Sequence, residues 1–436
     1  MHRSQPSVTP LTSYEKFVVG ILAFLQFTII LDFMILSPLG AVLMPGLHIT
    51  PAQFGLVVSV YAFSAGASGL LAAGFADRFD RKKILLFFYF GFILGTFFCA
   101  LAPSFPLLLA ARMVTGLFGG VMGSIVFAIT TDLFAYQMRG RVMGVIQTAF
   151  AASQVLGIPV GLFLSNHWGW HMPFFMIVGI SLVVAGVIAT HLRPIDSHLK
   201  NQPDRNPLHH LIQTLATPRY LQAFATTALL STGGFMLMPF ASAFSVHNLG
   251  ISLDKLPLVY LITGCCSILT GPLVGRLSDT LGKFRVFSFG TALSILMMLI
   301  YTHLGITPLP LVVLVNAILF IGIFSRMIPA QALMSAIPSP TNRGAFMSIS
   351  SAIQQFSGGL ASALAGLIVI QNADGSLAHF DRLGYVVIGA SLLTLGLMYL
   401  IHEKIKLDQG TNQGTQISDD RHPSPSPMES EKISAG

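Results

Sequence analysis

The chain has 436 residues, of which 53% are hydrophobic and only 9% are charged. Soluble domains carry about 25% charged residues, so this composition excludes a soluble enzyme or binding domain and indicates a protein that crosses a membrane several times. The net charge of +7 does not indicate nucleic acid as a partner, because the basic residues lie in short loops between apolar runs.

Twelve apolar runs are long enough to cross a bilayer, which takes about 20 residues in a helix. A polar linker at 193–219 divides them into two sets of six. We therefore predict an N-terminal segment at 1–16, six-helix bundles at 17–192 and 220–402, and a disordered tail at 403–436, which is rich in Ser, Gln, Asp and Pro. The predicted spans are 17–43, 52–76, 82–102, 106–134, 141–164, 172–192, 220–245, 255–277, 284–303, 309–336, 344–370 and 383–402.

The distribution of Lys and Arg predicts how these spans are oriented. With an even number of spans both termini lie on one side, and 20 of the 24 Lys and Arg residues then fall on that side. Lys255 and Arg382 fall on the other side, and Arg112 and Arg326 lie inside helices. Positive charge marks the cytoplasmic side, so both termini are predicted to be cytoplasmic. A missed or false span would reverse the side of every later residue and destroy this asymmetry.

The sequence also repeats itself once. Asp77 lies in a polar stretch between two apolar runs, and Asp279 lies in a similar stretch 202 positions later. Arg139-Gly140-Arg141 returns as Arg343-Gly344-Ala345, at an offset of 204. In membrane proteins a duplicated set of helices is typical of a transporter.

Several short motifs resemble those of the major facilitator superfamily, in the family's order and on its helices. The stretch 73–83 resembles its loop signature G-x-x-x-D-R-x-G-R-K, with Ala73 and Asp80 at two positions where glycine is usual. Arg112 and Gly116 resemble the R-x-x-x-G signature of the fourth helix, and 157–161 resembles the G-P-x-x-G pattern of the drug:proton antiporter branch. The remaining matches are Asp77, Arg78, Arg81 and Lys82, with Gly275, Asp279, Gly282 and Lys283 in the second copy.

This resemblance covers about residues 15 to 402 and is greatest to bacterial arabinose- and drug-efflux-type permeases. It implies an all-α membrane protein of twelve transmembrane helices in two six-helix bundles, working as a monomer in a bacterial inner membrane. It also implies a small-molecule substrate and proton coupling, with no enzymatic activity.

The resemblance further implies an ion-pair cluster that holds the two bundles together while the outside is open. It assigns this conformational latch to Asp77, Arg81 and Asp132, together with Arg78 and the repeated Asp279. The alternative is that the basic residues only set the membrane orientation. Acidic residues contribute little to orientation, so the recurrence of the aspartate favours the latch. Asp80 is a second candidate partner for Arg81.

Three charges lie deep inside predicted spans: Asp32, Arg112 and Arg326. A charge at the bilayer centre costs about 2.5–3.5 kcal/mol on insertion scales, so it should face a partner or a cavity. The first helix runs outward and the fourth inward, which places Asp32 and Arg112 at a similar depth in the outer half. Burial favours the neutral carboxyl of Asp32 and Arg112 favours the carboxylate, a balance suited to binding and releasing a proton. The alternative is a static pair that joins the two helices.

Arg326 lies deeper toward the cytoplasm, where it is a candidate to bind an anionic substrate group or to act as a gate charge. Other polar residues within the spans are candidates for the substrate cavity, although hydrogen bonding between helices explains each of them equally well. With Arg326, the predicted cavity residues are Gln26, Tyr61, Gln147, Gln154, Asn316 and Gln354.

The sequence contains no Walker A motif and no metal-spaced His/Cys cluster, so we predict neither a nucleotide nor a metal nor any other cofactor. The predicted function is secondary active transport by alternating access, with proton-coupled efflux of a small organic molecule. Two alternatives remain: a sugar or organic-anion uniporter or symporter, and a membrane sensor that transports nothing.

Overall fold

The computed structural model describes residues 11–75, 78–196, 199, 213–338 and 342–419. Within these ranges the chain forms twelve long helices, and a two-stranded antiparallel hairpin joins the last two of them. The N-terminal half contains α1 (Ser13–Leu47), α2 (Pro51–Phe75), α3 (Arg81–Leu101), α4 (Phe105–Leu133), α5 (Tyr136–Ala152, a π-helical turn at Ser153–Gly157, then Ile158–Trp168) and α6 (Met172–His191).

The C-terminal half repeats this arrangement. It contains α7 (Pro218–Leu237, a 3-10 turn at Met238–Phe240, then Ala241–His247), α8 (Leu256–Leu281), α9 (Lys283–Thr302), α10 (Leu309–Met334), α11 (Arg343–Ile368), the hairpin strands β1 (Ile370–Gln371) and β2 (Leu377–Ala378), and α12 (Phe380–Asp419).

Eleven of these helices are long and apolar enough to cross a membrane. The exception is α11, which has 26 residues but carries several Ser residues as well as Gln354 and Gln355. It nevertheless packs along α2, where glycines of both helices lie in close contact with the other backbone. The protein is therefore an all-α, multi-pass membrane protein of twelve helices, as the sequence predicts.

The helix ends follow from local chemistry. A capping box closes the start of α1, where the Thr12 hydroxyl accepts from the backbone N–H of Glu15 and the Glu15 carboxylate accepts from that of Thr12. The predicted tail boundary at 403 is wrong, because α12 continues to Asp419. The residues just past 402, Glu403-Lys404-Ile405-Lys406-Leu407, include good helix formers and no glycine or proline, so nothing stops the helix there.

Short loops make successive helices antiparallel, so their ends form two faces. We call the face that carries Lys82, Arg139 and Arg193 the basic face, and the other one the opposite face. The start of α1 and the end of α6 meet at the basic face, where the backbone N–H of Arg193 donates to the Tyr14 hydroxyl at 3.0 Å. The Arg193 guanidinium lies 4.7 Å from the centre of the Tyr14 ring.

The two halves close tightly on each other near the opposite face. The Ser59 hydroxyl of α2 donates to the Gly359 carbonyl of α11 at 2.7 Å. The Asn166 side chain at the end of α5 donates to the Leu253 carbonyl just before α8, also at 2.7 Å. The Ser242 hydroxyl of α7 donates to a carbonyl of α1 at 2.9 Å. The halves thus meet along three seams, α2 with α11, α5 with α8, and α1 with α7, and each seam is hydrogen-bonded at this end.

Glycines bring α2 and α11 together along their seam. A Cβ atom on Gly55 would lie 2.6 Å from the Ser362 carbonyl oxygen, and one on Gly366 would lie 2.7 Å from the Pro51 carbonyl oxygen. No other residue fits at either position without a shift of α2 or α11. A cleft of about 660 Å³ remains outside the seam, lined by the α1–α2 connection and by the hairpin after α11.

The halves also touch nearer the basic face. Leu70 of α2 packs on a buried cluster formed by α7 and α11, whose members are Tyr220, Ala223, Phe224, Phe346 and Ile349. A cavity of about 40 Å³ lies between this contact and the centre of the protein, lined by α2, α4 and α11. At the level of this cavity, α2, α4 and α11 therefore lie close together.

Candidate functional site

A buried ion pair joins α1 to α4. The Arg112 guanidinium donates to the Asp32 carboxylate, with 2.8 Å between Nη1 and Oδ2. The side chains of Arg112 and Asp32 are 1% and 0% exposed. The sequence predicts that these two charges lie at a similar depth in antiparallel helices. The structure shows them in direct contact.

Side chains from two more helices complete this site. The Thr96 hydroxyl of α3 donates to the second carboxylate oxygen of Asp32 at 3.2 Å. The Tyr61 ring of α2 lies against the Arg112 guanidinium, 4.4 Å from the ring centre to Cζ, and packs on Phe33. The Nε of Arg112 has no hydrogen-bond partner. Four helices of one half therefore converge on this ion pair.

Small residues make this convergence possible. A Cβ on Gly95 would lie 2.6 Å from the Thr115 hydroxyl oxygen, and one on Gly116 would lie 2.5 Å from the Tyr61 carbonyl oxygen. The glycines therefore let α3 and α2 approach α4 at the level of Arg112. On the other side of α1, Gly157 of the π-helical turn faces the Leu31 side chain, and the Ser153 hydroxyl donates to the Phe27 carbonyl at 3.2 Å.

This geometry makes the charge of Asp32 sensitive to small movements. The carboxylate has no contact with water, so its charge is stabilised by Arg112 and Thr96 alone. Removing a counterion from a buried pair costs about 3–5 kcal/mol, which is comparable with the roughly 4 kcal/mol needed to protonate an ordinary aspartate at pH 7. A movement of α4 away from α1 would therefore couple a change of conformation to the binding of a proton.

The other predicted cavity residues are not brought to this pair, apart from Tyr61. Gln26 and Gln154 are largely buried, and Oε1 of Gln26 has no hydrogen-bond partner. The Asn316 amide donates to the Val312 carbonyl of its own helix at 3.0 Å. Gln147 and Gln354 are exposed. A role of these residues in binding substrate stays a prediction.

Arg326 is the second deeply buried arginine, with 5% of its surface exposed. It lies in α10, where Ser325 and the Arg326 backbone pack against Gly290 of α9. Among the residues that the structure describes, no acidic group forms an ion pair with it, and its Nε and Nη2 atoms have no hydrogen-bond partner. Arg112 thus has a carboxylate against its guanidinium, whereas Arg326 has none among the described residues.

A second ion pair lies at the basic face. Nε of Arg81, at the start of α3, lies 2.8 Å from Oδ2 of Asp132, near the end of α4. The two side chains are 7% and 16% exposed. Both helices belong to the N-terminal half, so this contact joins two helices of one half, and its role as a latch between the halves stays a prediction.

Asp80 does not take the place of Asp132 but fixes the entry to α3. Its carboxylate accepts from the backbone N–H groups of Lys83, at 3.0 Å, and of Ile195, at 3.1 Å. The Ile195 carbonyl in turn accepts from the backbone N–H of Arg81 at 3.0 Å. The start of the linker between the halves is thus held against the residue that pairs with Asp132.

For the remaining predicted latch residues, a role in the latch stays a prediction. Arg78 and Asp279 are exposed, and Asp77 lies outside the described residues. The sequence reasoning missed Thr96, since a threonine in an apolar helix gives no signal, and it missed the contact of Asp80 with the linker.

Breaking the Arg81–Asp132 pair is expected to lower both stability and transport. Asp132→Asn removes the carboxylate that pairs with the mostly buried guanidinium of Arg81, at a cost of up to about 3 kcal/mol. We expect a lower unfolding temperature and a transport rate reduced about tenfold. Exchanging the charges, with Arg81→Asp and Asp132→Arg together, should recover part of both, whereas Arg78→Gln at an exposed position should change neither. Full stability and transport in Asp132→Asn would contradict this expectation.

Comparison with known proteins agrees with this fold. The sequence profile of the Major Facilitator Superfamily matches residues 22–362 and 223–427. The "Uncharacterized MFS-type transporter YceJ" of Bacillus subtilis (strain 168) is 28% identical over 349 residues, which is 79% of this chain and 87% of that protein. "Multidrug resistance protein 3" of the same organism is 28% identical over 35% of this chain and 30% of its own length. The crystal structure of the nucleoside transporter NupG superposes with a TM-score of 0.71 at 15% identity, over 88% of this chain and 99% of that one.

Proposed function

The chain belongs to the major facilitator superfamily, and we propose that it is a proton-coupled secondary transporter that exports a small organic molecule. The observation that carries this proposal is the fully buried pair of Asp32 and Arg112 inside membrane-spanning helices. Ionisable groups in such positions are costly, and in transporters they mark ion and proton pathways.

The proposed cycle uses the balance at Asp32. In the conformation described here the carboxylate is paired with Arg112 and the opposite face is sealed. When the opposite face opens, a shift of α4 against α1 within the N-terminal half would weaken the pair, and Asp32 would take up a proton from outside. The return to the present conformation would re-form the pair and release the proton to the cytoplasm.

The orientation of the protein follows from the same proposal. The basic face carries nearly all loop Lys and Arg residues, so we place it, with both termini, in the cytoplasm of a bacterial inner membrane. The resemblance in part of the chain to a multidrug resistance protein supports export as the direction. The protein is proposed to act as a monomer.

The test is transport by the purified protein in proteoliposomes under an imposed proton gradient. Radiolabelled sugars, cationic drugs and organic anions would be screened with the gradient, without it, and with a protonophore. Concentrative transport that the protonophore abolishes supports the proposal. Transport that only equilibrates the solute, with or without the gradient, would contradict it and indicate a facilitator. Absence of any flux across the panel would favour the non-transporting sensor.

A further inference from the structure

Arg326 is a buried cation with no acidic partner among the residues that the structure describes. Its exposed fraction is 5%, and its guanidinium is charged at any physiological pH. Arg112, by contrast, has both a carboxylate and an aromatic ring against its guanidinium. The interior of the membrane domain therefore holds one balanced arginine and one that lacks an anion in the part of the chain described here.

The C-terminal half offers no acidic side chain at this depth. Between 218 and 402 the sequence contains four acidic residues, Asp254, Asp279, Asp374 and Asp381. The first lies in the turn before α8, and the last two lie in the hairpin region and in the first turn of α12, all at the opposite face. Asp279 is exposed near the end of α8, at the basic face. Among the residues that the structure describes, no acidic side chain of this half serves as a counterion for Arg326, so an anion from outside the chain is a candidate for that role.

The two unpartnered nitrogens of Arg326 point to the shape of that anion. Nε and Nη2 form one edge of the guanidinium plane, where two N–H bonds run parallel. This edge matches the two oxygens of a carboxylate, or two oxygens of a phosphate, in a bidentate contact. A halide or a neutral amide would satisfy only part of this edge.

The backbone around Arg326 is held firmly. A Cβ on Gly290 would lie 2.6 Å from the Ser325 Cβ, and one on Gly322 would lie 2.7 Å from the Ser294 hydroxyl oxygen. Tight packing of α9 on α10 thus fixes the start of the Arg326 side chain. Arg326 precedes the end of α10 by two helical turns, about 12 Å from the basic face.

We propose that Arg326 binds the anionic group of the transported molecule, so that the substrate is a small organic anion with a carboxylate or a phosphate. This inference rests on the proposed transport function and adds the substrate class. The anion enters from the basic face, because the seams at the opposite face are closed. Its charge neutralises Arg326, while Asp32 and Arg112 neutralise each other in the other half.

The test uses pairs of compounds that differ in the anionic group. Nicotinate is paired with nicotinamide for the carboxylate, and glycerol 3-phosphate with glycerol for the phosphate. Thermal unfolding of the purified full-length protein in detergent measures binding, and proteoliposomes measure flux. Each assay compares the native protein with Arg326→Gln, Arg326→Lys and Arg382→Gln, the last of which removes an exposed arginine at the opposite face.

The proposal predicts that at least one anion stabilises and crosses with the native protein, whereas its neutral counterpart does neither. We expect Arg326→Gln to weaken anion binding more than tenfold, Arg326→Lys to retain part of it, and Arg382→Gln to behave as the native protein. Which anion is active distinguishes a carboxylate from a phosphate substrate.

Four outcomes would overturn the anion site. Equal stabilisation by the anion and its neutral counterpart is one, and absence of binding by both anions to the native protein is another. The third is loss of transport in Arg326→Gln with binding unchanged, which would make Arg326 a gate charge. Proton-coupled flux of a neutral or cationic solute that requires Asp32 would refute the anion site and leave the proposed function intact.

Discussion

Replacing Asp32 with asparagine is expected to abolish proton-driven accumulation of substrate while exchange of substrate across the membrane continues. Asparagine can still accept a hydrogen bond from Thr96, but it cannot take up or release a proton. Net transport needs an empty return step coupled to that proton, whereas exchange does not. We expect accumulation to fall by at least about a hundredfold, as for loss of a proton-transfer group, with counterflow in equilibrated proteoliposomes within a few-fold of normal.

Two further variants separate coupling from structure. Asp32→Asn leaves Arg112 buried without a counterion, which destabilises the fold by about 3–5 kcal/mol. The double variant Asp32→Asn with Arg112→Gln removes both charges and should regain stability without regaining accumulation. Thr96→Val removes one hydrogen bond of 3.2 Å and should lower accumulation only slightly. If the double variant accumulated substrate normally, the pair would be a static join between α1 and α4.

Replacing Gly55 with leucine is expected to keep the opposite face open. A Cβ there would lie 2.6 Å from the Ser362 carbonyl oxygen and 3.2 Å from the Gly366 Cα, so α2 and α11 must separate to admit the side chain. Overpacking of this kind costs about 1–3 kcal/mol, enough to shift a conformational equilibrium by about fivefold to a hundredfold. We expect transport to be almost lost, since the protein cannot return to the closed conformation.

Spin labels on either side of the opposite-face cleft measure this shift. Spin labels are attached to cysteines that replace His48 and Asn372, in a protein that lacks Cys265 and Cys266. Electron paramagnetic resonance then reports the distance between the halves. The distance should increase in Gly55→Leu. Gly271→Leu is the matched control, because no atom lies within 4 Å of a Cβ at that position. An unchanged distance in Gly55→Leu, or an equal increase in Gly271→Leu, would contradict the role of the glycine seam.

The sequence was sufficient to predict the strongest feature of the site. Charges inside apolar runs are rare, so Asp32 and Arg112 stand out, and antiparallel helices place them at the same depth. The contact of Arg81 with Asp132 was implied by the family resemblance, and the structure shows it at 2.8 Å. Both contacts depend on charges, which leave a clear signal in an apolar sequence.

Other features left no such signal. Thr96 is an ordinary residue of an apolar helix until α3 is seen beside α1. The seam between Gly55 and Gly366 was not predicted, because the chain has 41 glycines and their spacing does not specify a partner helix. The end of α12 was placed too early because a polar tail can be helical as well as disordered. That Arg326 has no acidic partner among the described residues became evident only once the surroundings of α10 were known.

The most direct test of the account follows the proton itself. Proteoliposomes containing a pH-sensitive dye would be given an outward gradient of a transported solute, and the internal pH would be recorded for the native protein and for Asp32→Asn. Proton coupling through Asp32 predicts a change of internal pH that accompanies solute efflux in the native protein, with the sign of antiport, and none in the variant. A change of internal pH of the same size in Asp32→Asn would contradict the assignment of proton coupling to Asp32.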